Sequence, residues 1–217
     1  MLIEQPMNRP STQWLRYRIP WLVLAGLLIL LQFAGAEQVL RFDRPAIGAG
    51  QWWRLLSAHL VHLNWHHLWL NLAGLLLVAV FFSAYCSLRQ WLALLLFCAL
   101  GTGLALYLFD DRLMYYVGLS GVLHGLFLMG AWRESRHYPL AGYSLIILLA
   151  AKLLWEQLQG PLPGSEAMTG GRVAVNAHLF GALSAVLFIL LHQVVHVHDR
   201  QQNGQHDGQH HHAHDDD

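Results

Sequence analysis

Apolar runs of about 20 residues recur along most of the chain, separated by short polar connections. An α-helix needs about 20 apolar residues to cross the hydrocarbon core of a bilayer. The pattern therefore predicts an all-α integral membrane fold with six spanning helices and no separate soluble domain. The predicted spans cover residues 18–35, 58–82, 89–109, 115–132, 139–157 and 173–196.

Polar segments flank the predicted six-span domain, which extends over residues 18–197. Residues 1–17 precede it and are expected to be cytoplasmic. Residues 198–217 form a tail rich in histidine and aspartate. Its low hydrophobicity predicts disorder, and its histidines are expected to bind metal ions weakly.

Composition agrees with a membrane protein, because 55% of the 217 residues are hydrophobic and only 12% are charged. The 13 basic and 13 acidic residues balance, which argues against a nucleic-acid partner. The loops on the same side of the membrane as the N-terminus contain slightly more basic residues than the loops on the opposite side. This excess predicts that both termini are cytoplasmic, which would place the starts of the fourth and sixth spans near the outer face. Cys86 and Cys98 are expected to be small core residues rather than a disulfide.

A serine between glycines begins the fourth predicted span, and a histidine lies near the start of the sixth. Ser120 stands in the segment Gly118–Gly121, and His178 stands in the segment Ala177–Gly181. A serine hydroxyl becomes nucleophilic when a base such as histidine takes its proton across about 2.6–3.2 Å. Because polar side chains are costly inside a bilayer, their presence here indicates a functional pair.

Small residues at intervals of four on these two spans predict that the helices cross closely. They are Gly121 and Gly125 on the fourth span, and Ala177, Gly181 and Ala185 on the sixth. Such a crossing would place Ser120 next to His178.

His67 and Asn71 are four residues apart in the second predicted span, so both point from one face of the helix. An imidazole and an amide aimed together suit the stabilisation of an oxyanion. The unpaired backbone N–H groups at the start of the helix that begins with Ser120 are further candidate donors.

No acidic residue is expected beside His178. Asp110 and Asp111 lie in a loop, and Glu156 is placed low in the fifth span. Glu156 follows Lys152 by four residues, so the two are expected mainly to pair with each other, with a role in gating or substrate contact left open. The sequence therefore predicts a Ser–His dyad rather than a triad.

Together these motifs resemble those of the rhomboid intramembrane serine proteases. The resemblance covers residues about 50–196, and the motifs occur in the family's order. The matching residues are the pair Trp53-Arg54, the set His62, His67 and Asn71 with its His-x-x-x-x-His-x-x-x-Asn spacing, the Gly-x-Ser-Gly motif Gly118–Gly121, and the Ala-His-x-x-Gly motif Ala177–Gly181.

The resemblance implies a six-helix rhomboid bundle in which Ser120 is the nucleophile and His178 is the base. It implies that His67, Asn71 and the Ser120 N–H stabilise the oxyanion. No cofactor and no catalytic metal are expected. The residues implied to support the site are Gly118, Gly121, Gly181, His62, Trp53 and Arg54.

Two positions depart from the common family pattern. Ala185 stands where rhomboids commonly have a second glycine. His124, four residues after Ser120, together with the six-span layout, resembles the rhombosortase branch. That branch implies a bacterial inner-membrane enzyme, open toward the periplasm, whose substrates carry a Gly-Gly-type signal and a C-terminal transmembrane sorting helix. His124 is expected to pack or to contact substrate, with a role as a competing base left open.

Other functions stay open at this stage. They are an inactive rhomboid relative that binds client helices, a rhomboid that cleaves other single-pass substrates, and a metal transporter. Retention of Ser120 and His178 argues against the first, and the scarcity of polar residues deep in the spans argues against the third. The histidines with metal-ligand spacing in the second span are His59, His62 and His66, but no carboxylate or cysteine joins them.

Overall fold

The computed structural model describes the backbone of residues 11–211 and the side chains of residues 17–193. The side chains of residues 1–16 and 194–217 are not described, so the predictions for the two terminal segments, 1–17 and 198–217, stay predictions.

The described chain is mostly helical. Its elements are α1 (Ser11–Phe33), α2 (Glu37–Leu40), β1 (Phe42–Asp43), α3 (Arg44–Gly48), α4 (Arg54–Ser57), α5 (Trp65–Phe81), α6 (Leu88–Phe109), β2 (Tyr115–Tyr116), α7 (Ser120–Glu134), α8 (Pro139–Gln159), α9 (Ser165–Thr169) and α10 (Val175–His211).

Among the described residues, three helical segments are long and apolar enough to cross a membrane: α6, α8 and the part of α10 over Val175–Gln193. The bent pair Arg54–Leu60 and Trp65–Phe81 adds a fourth if it counts as one span, and Tyr17–Phe33 is a shorter apolar helix. The chain is therefore a helical membrane protein, as predicted, while the count of six spans stays a prediction.

The second predicted span is not the continuous helix expected over residues 58–82. Its first residues form a 3-10 turn over Ala58–Leu60, and α5 follows after a 90° bend. Asn64 starts α5, because its Oδ1 accepts a hydrogen bond from the His67 N–H at 2.9 Å. Its Nδ2 also donates to the Thr169 carbonyl at 2.9 Å, which ties the start of α5 to the end of α9.

The fourth predicted span also begins later than expected, because residues 115–116 pair as β2 with β1 in an antiparallel ribbon. Gly118 then turns the chain at φ +116°, a backbone conformation that glycine adopts readily. Its N–H donates to the Ala58 carbonyl at 3.0 Å, and α7 starts two residues later at Ser120.

The central helix is α7, which packs against α5, α6, α8 and α10. Its apolar side chains Val122 and Leu126 are completely buried. Cys98 of α6 lies in the same core, and both Cys98 and Cys86 are buried and form no disulfide, as predicted.

The helix α8 lies at the edge of the bundle, against α7 and α10. Gly142 near its start packs against Ser135 at the end of α7, so α8 runs antiparallel to α7. Large apolar side chains on its outer face, such as Leu140 and Ile147, are exposed. An exposed apolar face of this kind suits contact with lipid.

Candidate active site

The helices α7 and α10 cross at their small residues, as the spacing predicted. A Cβ atom on Gly121 would lie 2.7 Å from the Ala177 carbonyl oxygen, and one on Gly125 would lie 2.7 Å from the Gly181 carbonyl oxygen. A Cβ atom on Gly181 would overlap the Gly121 backbone. Ala185, at the position where rhomboids commonly have glycine, also fits this crossing. Its methyl group would lie 3.4 Å from a Cβ atom built on Gly125, which is an ordinary contact distance.

This crossing brings the serine and the histidine of the sequence motifs together. Ser120 Oγ lies 3.0 Å from His178 Nε2, within hydrogen-bond reach of a general base. Ser120 is half-buried and His178 is buried. Leu119, at the N-cap of α7, supplies no capping side chain to the first N–H groups of the helix.

Glu156 lies on the other side of the His178 ring, with its Oε2 2.9 Å from Nδ1. The expectation that no acidic residue would lie beside His178 is therefore wrong. Glu156 is near the C-terminal end of α8, four residues before Gly160. Because α8 runs antiparallel to α7, that end lies level with the first turns of α7 and α10.

Lys152 and Glu156 pair as expected, with Nζ 2.8 Å from Oε2. The Lys152 ammonium also lies 2.6 Å from His124 Nε2 and 3.1 Å from His178 Nδ1. The His124 ring stacks on the His178 ring, with centroids 4.2 Å apart and an interplanar angle of 18°. His124 Nδ1 lies 2.7 Å from the Ser120 carbonyl oxygen, so both of its nitrogens have partners other than the Ser120 hydroxyl.

His67 and Asn71 line the same cavity as Ser120 and His178. Asn71 is buried, and its Nδ2 donates to the His67 carbonyl at 3.0 Å. His67 packs against Gly118, where a Cβ atom would lie only 2.7 Å from His67 Cε1. The two side chains thus reach the cavity, although the Asn71 amide bonds along its own helix.

The remaining motif residues support the walls of the site. His62 is buried, with its ring edge-on to His67 at 5.2 Å. Arg54 is buried and donates to the Arg41 carbonyl at 2.8 Å, which fastens the loop before α4. Trp53 is exposed at the start of α4, and neither Trp53 nor Arg54 is among the described residues that line the cavity.

A cavity of about 1200 Å³ opens over Ser120, between α5 and α8. Leu70 and Leu77 of α5 and Leu149 of α8 give it apolar sides. Charged residues line it toward the loops: Glu37, Arg41, Asp110, Arg112 and Arg172. An apolar cleft with a few converging polar groups is the usual form of a substrate site.

Within the described side chains, the group that offers metal-type ligands is His124, Glu156 and His178, whose ligand atoms lie within 4.8 Å of one another. His59, His62 and His66, considered from their spacing, do not form such a group there. His59 instead bonds the Ala99 carbonyl at 2.9 Å.

The sequence did not reveal how His124 and Glu156 converge on His178. Its signals were the intervals of four from Ser120 to His124 and from Lys152 to Glu156. Each interval places two side chains on one helix face, but the spacing does not predict which other helix packs against that face.

Residues 49–193 match the family model of the Rhomboid domain, which is more than half of the chain. No curated protein matches the chain. The matched range contains all of the motif residues, including the serine and histidine that meet at 3.0 Å. The chain therefore belongs to the rhomboid family, whose members are intramembrane serine proteases.

Proposed function

We propose that this protein is an intramembrane serine endopeptidase in which Ser120 is the nucleophile and His178 is the general base. The observation that supports this most directly is the 3.0 Å separation of Ser120 Oγ and His178 Nε2. A second support is that the pair opens onto a cavity large enough to hold a peptide segment.

In the proposed reaction, Ser120 Oγ attacks the carbonyl carbon of a substrate peptide bond while its proton moves to His178 Nε2. The C–N bond then breaks, and the same proton passes from Nε2 to the leaving amine. Water next attacks the acyl-enzyme and gives a proton to His178. Release of the new carboxyl end returns that proton to Ser120 Oγ.

The oxyanion formed in each step needs hydrogen-bond donors. We assign this role to the Ser120 N–H at the start of α7, together with His67 and Asn71. Asn71 Nδ2 donates to the His67 carbonyl in the free protein. Rotation of the amide toward the cavity would bring this donor to the substrate oxygen.

The depth of Ser120 favours a substrate bond inside or beside a transmembrane helix. α7 has 15 residues and begins at Ser120. At 1.5 Å per residue it is about 22 Å long, about 8 Å shorter than the hydrocarbon core of a bilayer. If its other end reaches the far interface, Ser120 lies below the near one.

A substrate helix must unwind before its carbonyl carbon can be attacked, because helical backbone is hydrogen-bonded and shielded. Glycine lowers the cost of unwinding by roughly 0.5–1 kcal/mol per residue relative to alanine. We propose that the substrates are exported bacterial proteins with a Gly-Gly-type signal before a C-terminal sorting helix. The proposal rests on the position of His124 after Ser120 and on the predicted six-span layout.

The proposed location is a bacterial inner membrane, with both termini in the cytoplasm and the cavity open toward the periplasm. The predicted even number of spans and the slight excess of basic residues on the membrane side that holds the N-terminus support this orientation. Water would then reach Ser120 from the outer face, past the residues between α8 and α10.

The test uses purified full-length protein in lipid vesicles and a fusion protein that ends in Gly-Gly, an apolar helix and basic residues. Mass spectrometry locates the cut. We expect cleavage next to the Gly-Gly pair by the wild type and none by Ser120→Ala. Ser135→Ala is the matched control, because it removes a hydroxyl from the opposite end of α7, where Ser135 Oγ bonds the Trp132 carbonyl.

Continued cleavage by Ser120→Ala would remove Ser120 from the mechanism. Binding of the fusion protein without cleavage by the wild type would favour a client-binding rhomboid relative. Cleavage of unrelated single-pass substrates at the same rate would contradict the proposed Gly-Gly-type substrate class and leave a rhomboid protease of broader specificity.

A further inference from the structure

The His178 ring has two competing neighbours at Nδ1. Glu156 Oε2 lies 2.9 Å away and Lys152 Nζ lies 3.1 Å away. A neutral ring nitrogen either donates a hydrogen or accepts one. If Nδ1 donates to Glu156, Nε2 is free to take the Ser120 proton. If Nδ1 accepts from Lys152, the ring hydrogen is on Nε2, and His178 is not a base for Ser120.

His124 gives the Lys152 ammonium another acceptor. The Ser120 carbonyl oxygen, 2.7 Å from His124 Nδ1, only accepts hydrogen bonds, so the ring hydrogen of His124 is on Nδ1. Its Nε2 is then an acceptor, 2.6 Å from Lys152 Nζ. A second ammonium hydrogen points to Glu156 Oε2 at 2.8 Å. Two of the three ammonium hydrogens of Lys152 therefore have acceptors other than His178.

Burial of the Glu156 carboxylate makes its ion pair with Lys152 more important. The Glu156 side chain is only 3% exposed. A carboxylate buried without a partner is strongly destabilising, and the ammonium 2.8 Å away compensates its charge. The pair thus keeps an ionised acceptor against His178 Nδ1.

On the basis of the proposed function, we propose that Glu156 is a positioning residue that selects the tautomer of His178 with its hydrogen on Nδ1, in which Nε2 can act as the base. The Lys152 ammonium is a built-in cation at the centre of the His124–Glu156–His178 group. The three ligand atoms lie within 4.8 Å of one another and resemble a metal site. Lys152 Nζ lies 2.6–3.1 Å from all three atoms and occupies the place of the ion.

During catalysis the hydrogen on His178 Nδ1 stays in place and is donated to Glu156. The proton from Ser120 Oγ moves to Nε2, which makes the ring an imidazolium. The Glu156 carboxylate stabilises that charge, and the proton leaves with the amine product. No hydrogen passes to Glu156 or Lys152.

The first test replaces the carboxylate by an amide of the same shape, Glu156→Gln. We expect kcat to fall by about 10²-fold or more while KM changes by less than about threefold, because the variant loses orientation of the base rather than substrate contacts. Gln157→Ala, at an exposed position on the same helix, is the matched control and should retain full activity.

The second test removes the built-in cation by Lys152→Ala and asks whether zinc takes its place. In EDTA, Lys152→Ala should have lower activity than wild type, because the buried Glu156 carboxylate loses the ammonium that compensates its charge, and this remaining activity is the reference for inhibition by zinc. Zn²⁺ should then inhibit it at a concentration at least about tenfold lower than that which inhibits wild type, because zinc on Nδ1 moves the ring hydrogen to Nε2. EDTA should reverse the inhibition.

The double variant Lys152→Ala with His124→Ala should lose the added zinc sensitivity. A change that merely loosened the fold would not create reversible inhibition that depends on His124. Wild-type zinc sensitivity in Lys152→Ala, or a Glu156→Gln enzyme with kcat above half of the wild-type value, would overturn the inference. Activity that survives Ser120→Ala would instead overturn the proposed protease, so the two failures are distinguishable.

Discussion

Gly181 of α10 faces the backbone of Gly121 of α7, with no space between them for even one methyl group. This contact holds the two helices at the separation at which Ser120 reaches His178. Close backbone approach at small residues is the main way in which helices associate in lipid.

Gly181→Ala should therefore separate α7 from α10 and reduce activity by at least about tenfold, with a loss of stability of about 1–3 kcal/mol from overpacking. Thermal unfolding and cleavage rate measure the two effects. Gly26→Ala is the control, because a Cβ atom at this position on α1 would meet no atom within 4 Å beyond its own stretch of the helix. Equal behaviour of the two variants would show that the contact does not set the site.

Gly118→Ala should impair the site by a different route. Its backbone has φ +116°, and its new methyl would lie 2.7 Å from His67 Cε1. Gly50 has a similar φ of +97° but nothing within 4 Å, so Gly50→Ala isolates backbone strain from displacement of His67. We expect both variants to lose about 1–3 kcal/mol of stability and Gly118→Ala alone to lose kcat. Equal kcat in the two variants would contradict the role of His67.

The stacked ring of His124 should help to hold His178 in place, in addition to the contact between its Nε2 and Lys152. His124→Phe keeps a flat ring 4.2 Å from His178, whereas His124→Ala leaves the ring of His178 without that neighbour. We expect kcat to fall in the Phe variant, because Lys152 loses an acceptor, and to fall further in the Ala variant, by about 10²-fold, because the stacking is lost as well. If Ala is the more active variant, stacking does not position the base.

Asn71 should affect turnover rather than substrate binding. Asn71→Ala removes the amide whose donor bonds the His67 carbonyl in the free protein. A donor that acts only on the oxyanion lowers kcat by roughly 10²–10³-fold on removal and leaves KM nearly unchanged. Steady-state kinetics in vesicles separates the two parameters. A rise in KM with normal kcat would assign Asn71 to substrate binding instead.

Local sequence spacing was sufficient to predict the meeting of Ser120 and His178, because intervals of four on two helices define the faces that pack in lipid. It was not sufficient for Glu156, whose position depends on the direction and lateral placement of α8. The late starts of α5 and α7 were missed for a similar reason. Asn64 is bonded to Thr169, and β2 pairs with a strand more than 70 residues earlier.

The central claim is that His178 activates Ser120, and a fluorophosphonate probe that reacts with activated serines tests it directly. The account predicts labelling of the wild type at Ser120, identified by mass spectrometry of the modified peptide. It predicts no labelling of Ser120→Ala and a loss of labelling in His178→Ala. Labelling of His178→Ala at the wild-type rate would contradict the account.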